Sequence, residues 1–191
     1  MSNLVKVILV VVVGGMLLCL LTVSAGFMLF RATGTVIANQ INTDVVEAGQ
    51  VGSEIFDYEI PEDFTEARSL QAVGCELVIY NGSDGHSHIY FFQLPGSVTF
   101  DLDQIEVEFQ KVLPDNEHDR RNVKMVDSRP ATIAGQEVTL IVSEGEDHDG
   151  EPYREVSAVL KGKGGQALVV FSRPVASWDE AEMEQFLASI R

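Results

Sequence analysis

The sequence predicts an α+β domain, an antiparallel sheet of about six or seven strands with two helices, carried behind a single membrane-spanning helix. Three observations lead there: a long uncharged apolar run near the N-terminus, a series of strand-length segments separated by turn signals, and a last segment with helical spacing. With 191 residues and 46% apolar composition, the chain suits one core plus that leading run rather than two full domains.

From Val7 to Phe30 the sequence "VILVVVVGGMLLCLLTVSAGFMLF" holds 24 residues without a charge. At about 1.5 Å per residue such a helix is roughly 36 Å long, enough to cross a hydrocarbon core of about 30 Å. A cleaved secretory signal has a shorter apolar centre, and here Leu29 and Phe30 continue the run past the small-residue stretch Val23-Ser24-Ala25. The expectation is therefore a retained signal anchor. Bulky Leu18 before Cys19 argues against lipid attachment. Lys6 and the α-amino group on the short side favour residues 1–6 in the cytoplasm and the remaining chain outside it, making the protein a single-pass component of the cell membrane.

Residues 31–54 mix small and polar side chains without a sustained apolar period, which reads as a flexible tether. The acidic α+β domain then occupies residues 55–191. From Arg31 onward 12 Lys and Arg stand against 29 Asp and Glu, a balance of −17, which excludes nucleic acid as a partner and disfavours an anionic lipid surface. Cys75 is the only thiol outside the apolar run, so the domain forms no internal disulfide.

Within the domain, "IFDYEIP" reads as a short first strand and "AVGCELVIYN" as a stronger one, ending in the hairpin signal Asn81-Gly82. With Ser83 these two residues also form a glycosylation sequon, Asn81-Gly82-Ser83, but the turn alone accounts for Asn-Gly. "HSHIYFFQLP" is the return strand, apolar on both faces and hence central. Leu102, Ile105, Phe109 and Leu113 then recur at helical spacing, with Asp101 as N-cap and Pro114 as the stop. Two hairpins follow, turning at Ala134-Gly135 and at Lys163-Gly164-Gly165, with Asp149-Gly150 in the loop between them. Ser177-Trp178-Asp179-Glu180 reads as a capping box opening a final helix, whose apolar stripe is Trp178, Ala181, Phe186, Leu187 and Ile190.

This order of elements, with "YEIPEDF", "ATIAGQEVTLIV", "ALVVFSRPVASW" and the closing "FLASIR", resembles the PsbP-like superfamily of extracytoplasmic domains, which includes DcrB-like lipoproteins. The resemblance covers about residues 55–191. It implies an α/β/α sandwich that binds or helps assemble other components, and it carries over no catalytic residue. Unlike the lipoprotein members, this chain has a full apolar run in place of a lipid-attachment site.

Antiparallel order also places the loops. If the strand before Asn81 runs upward, the hairpin tip after it, the segment "DNEHDRR" and the loop "EGEDHDGE" all fall at the upper end. All four histidines, His86, His88, His118 and His148, therefore share that end with Asp84, Asp115, Glu117, Asp119, Asp147 and Asp149. Imidazole with carboxylate suits a divalent metal, and polar hairpin tips are the ordinary alternative. No G-x-S-x-G, Cys-x-x-Cys, H-E-x-x-H or phosphate-loop pattern occurs. The expected role is a non-catalytic binding or assembly module for another protein or a small ligand; the alternative is a metal-binding sensor or metal-dependent enzyme using the histidine-rich end.

Overall fold

The computed structural model describes residues 42–72, 74–96, 121–147 and 149–191, and residues 41–191 form one compact unit. Among the described residues are helix α1 (Val45–Ile55), strands β1 (Phe64–Ala72), β2 (Cys75–Gly82), β3 (His88–Gln93), β4 (Arg121–Ile133), β5 (Gln136–Glu146), β6 (Pro152–Lys161) and β7 (Gln166–Pro174), a 3₁₀ turn Val175–Ser177, and helix α2 (Glu180–Ser189). The strands make one antiparallel sheet in the order β1-β2-β3-β7-β6-β5-β4. The predicted α+β class and strand number are thus observed. No described helix is long and apolar enough to cross a membrane. The run Val7–Phe30, the segment Asp101–Pro114, His118 and His148 all lie outside the described residues.

Side-chain alternation sorts the sheet into two faces. Val78, Tyr80, Ile89, Phe91, Val156, Ala158, Val169 and Phe171 meet Ala48 and Ile55 of α1 and Met183, Phe186 and Leu187 of α2, so both helices cover the same face. Leu77, Ile79, Tyr90, Leu168 and Val170 form a second buried cluster on the other face. The strongest strands are therefore apolar on both sides. At β3 and β7, which pair at the centre, the continuous runs "IYFF" and "ALVVF" reflect that double burial.

Four local readings are corrected. Within the expected tether, residues 45–55 are helical: Asp44 accepts from the backbone N–H groups of Val46 and Glu47, and the buried stripe is the small set Ala48, Gly52 and Ile55. The expected strand "IFDYEIP" does not form: Ile55 closes α1 and the rest lies outside the sheet, with Asp57 exchanging two backbone hydrogen bonds with Arg191. The strand that does form there is β1, "FTEARSLQA", an edge whose mixed composition hides its alternation. At the other end of the chain the cap of α2 is Asp179 rather than Ser177, and Met183 takes the buried place expected of Ala181, which is exposed.

Both predicted turns of the second half form as read. Ala134 and Gly135 both adopt positive φ between β4 and β5, the pattern of a tight hairpin. The outer edge, β4, carries Pro130 and two register shifts, features that suit a strand with no neighbour beyond it.

Candidate functional site

The upper end of the sheet is built around the turn joining β2 to β3. Asn81 and Gly82 do not form a two-residue turn: Asn81 is buried in β2 opposite His88, and the connection runs through Ser83 to Ser87. Gly85, at φ 74, supplies the left-handed residue this longer turn requires. Asp84 holds the turn from inside. Its Oδ1 accepts from the backbone N–H groups of His86 (2.9 Å) and Ser87 (2.8 Å), and its Oδ2 from the Ser87 hydroxyl (2.7 Å). Burial works to raise the Asp84 carboxyl pKa, but these three bonds and the nearby Arg173 charge hold it below the ordinary carboxylate range.

Beneath the turn, Arg173 of β7 is 5% exposed and spans several elements. It pairs with Asp63 through both terminal nitrogens (2.9 and 3.0 Å) and with Glu182 of α2 at 2.8 Å. Its guanidinium lies over the rings of Phe64 and Phe171. Burial opposes the charge, yet Asp63 and Glu182 outweigh it and raise the Arg173 pKa. Glu182 shows the other balance: burial raises its carboxyl above the usual range despite Arg173. The hub thus joins β7, the β1 entry and α2 under the His86 turn.

The loop between β5 and β6 meets this turn from the side. His86 Nδ1–H donates to Asp147 Oδ2 at 3.0 Å. The other Asp147 oxygen accepts from the backbone N–H groups of Asp149 and Glu151, both at 2.9 Å. Burial pushes the Asp147 carboxyl upward, but the Glu151 N–H, the His86 ring and the Asp149 N–H together keep it below the ordinary range. One ligand atom from each of His86, Asp147 and Asp149 lies within 4.8 Å of the others. The half-exposed His86, at 37%, leaves this trio open to solvent.

Of the four histidines read as one metal set, His86 is the one that the structure groups with Asp147 and Asp149 among the described residues. His88 lies elsewhere: its Nδ1–H donates to Asn81 Oδ1 at 3.0 Å and its ring sits 5.7 Å from that of Tyr90, on the face opposite the helices. His86 and His88 do not share a strand face, because His86 stands in the turn before β3 begins, where strand alternation does not apply. His118 and His148 fall outside the described residues. Asp147 and Asp149 were legible as neighbours by loop end, though the bond of Asp147 to His86 was not.

At the side of the domain, Trp178 precedes α2 and donates its Nε1–H to Glu180 at 2.9 Å, packs edge-on to Phe171 and lies under Arg154. Glu180 also pairs with Arg129 of β4. These contacts account for the indole as an anchor of α2. No protein-family model matches this sequence, and no curated protein matches it either.

Proposed function

We infer that the protein is a single-pass membrane protein that displays residues 42–191 outside the cytoplasm as a non-catalytic binding or assembly module. The observation that carries this reading is the 24-residue uncharged run Val7–Phe30, placed directly ahead of a chain segment that forms a compact unit of its own. The strongly acidic balance of that unit keeps it off an anionic lipid surface and leaves a protein or a small ligand as its partner. The PsbP-like resemblance supports the same role.

The test is to express the full chain with a C-terminal epitope and treat intact and permeabilised cells with protease. Digestion of the domain without rupture of the cytoplasmic membrane, together with retention in the pellet after alkaline carbonate, is the expected outcome. Release by carbonate, or a mature N-terminus beginning after Ala25, overturns the anchored reading.

A further inference from the structure

We propose that His86, Asp147 and Asp149 form a binding site for one first-row divalent cation of the zinc type, in place of the four-histidine set. The geometry of two of the three ligands already suits it. Nδ1 of His86 and Oδ2 of Asp147 are 3.0 Å apart, and adjacent ligands on a cation with bonds of about 2.0–2.2 Å stand roughly 3 Å apart. The cation takes the place of the proton now shared between them. Asp149 supplies the third donor, since one of its carboxylate oxygens falls within the same 4.8 Å group.

Both inner ligands are oriented by groups that the cation would not disturb. The second oxygen of Asp147 is held by the Asp149 and Glu151 N–H groups, which leaves Oδ2 as its ligand atom. The backbone of His86 is fixed by Asp84, itself tied through Ser87 to Arg173. Such outer contacts preset ligands and are worth about 10- to 100-fold in affinity at metal sites. They also span the fold: His86 comes from the β2–β3 turn and the two aspartates from the β5–β6 loop, with β7 and β6 lying between β3 and β5 in the sheet. The cation therefore bridges the two hairpin systems. Its identity follows from the donors. One imidazole nitrogen with two carboxylates fits zinc, and after it manganese, whereas calcium calls for six or more oxygens. The −17 balance of the surrounding chain favours any cation over an anion here. The site is independent of membrane display and stands or falls separately.

The full chain in detergent micelles, stripped with chelator, is titrated calorimetrically with zinc chloride alone, beside His86→Gln, Asp149→Asn and His88→Gln. The expected result is one ion per chain with a Kd of about 1 µM or tighter, weakened at least about tenfold in His86→Gln and Asp149→Asn and unchanged in His88→Gln. Thermal midpoints of the metal-free variants control for folding, and the exposed Asp149→Asn keeps the test decisive where His86→Gln disturbs the turn. Zinc should also raise the melting temperature of the wild type and not of Asp149→Asn. Absence of binding heat, or binding with full affinity in Asp149→Asn, overturns the site.

Discussion

The two ends of the sheet are held by opposite means. At the upper end, charge does the work: Arg173 gathers Asp63 and Glu182, Asp84 holds the turn, and His86 meets Asp147. The lower end has one exposed pair, Lys163 with Asp57 at 2.8 Å, and otherwise turns on a neutral amide and on backbone. Buried Gln93 donates to Glu76 at 2.6 Å and accepts from the Gly164 N–H at 2.8 Å, while Gly162 and Lys163 bond through their main chains to Gly165 and Ile55. Loops that bind ligands gain from fixed charges, whereas a close crossing of main chains needs small residues. The contrast sets the proposed cation site at the end held by fixed side-chain charges, and the close main-chain crossing at the other.

Arg173→Ala should break the upper end most severely. It removes one partner from a buried network and leaves Asp63, Glu182 and the Phe64 and Phe171 rings without their cation, at a cost of about 3 kcal/mol. Urea unfolding monitored by tryptophan fluorescence checks this; a loss within about 0.5 kcal/mol, the range of an ordinary surface change, removes the hub from the account.

The glycines sharpen the comparison. Gly85 in the upper turn has open space around it and needs only its positive φ, so Gly85→Asn should cost under about 1 kcal/mol. Gly165 below has no room: a Cβ there meets the Leu94 carbonyl oxygen at 2.2 Å and the Gly96 nitrogen at 3.0 Å. Gly165→Ala should therefore cost about 2–3 kcal/mol by forcing two backbones apart. Equal losses at the two positions refute the distinction between a conformational glycine and a spatial one.

The smallest effect is a difference of sign with pH. Asp84 and Asp147 have lowered pKa values when folded, so their stabilisation is complete above the ordinary carboxylate range and is lost as the pH falls through their folded values. Glu76, raised by burial and by Glu54, contributes the reverse: stability that is present below its ordinary pKa and lost as the pH rises through the folded one. Unfolding midpoints followed between about pH 3 and pH 7 should thus respond oppositely to Asp147→Asn, which flattens the acid decline, and Glu76→Gln, which flattens the loss at higher pH. Parallel responses contradict the assignment.

What the sequence displayed, and what it hid, follows the same physics. Strands buried on both faces, β3 and β7, announce themselves as unbroken apolar runs, and tight turns such as Ala134-Gly135 by their residue types. Helix α1 hid because two of its three buried positions are Ala48 and Gly52, with Tyr58 filling the space beside Gly52 and Ile55 coming only at its end; Asp44 followed by Glu47 was its capping signal. β1 hid because an edge strand buries few side chains. That the β2–β3 turn and the β5–β6 loop share an end was readable from antiparallel order, and His86 meets Asp147 there; His118 and His148 lie outside the described residues. The partner of His86 was not readable, since strand order alone decides which loops of one end touch.

The pairing of β3 with β7 also sets the order in which the domain can acquire stability. The centre of the sheet joins a strand from the first half of the domain to its last strand, and α2, which closes the main core, comes later still. Closing so long a loop is entropically slow, and contacts on either side of it reward the chain little until it is closed. A nascent chain therefore stays open until its C-terminal end is available, and a truncation that removes α2 should yield an aggregation-prone collapsed state rather than a smaller domain.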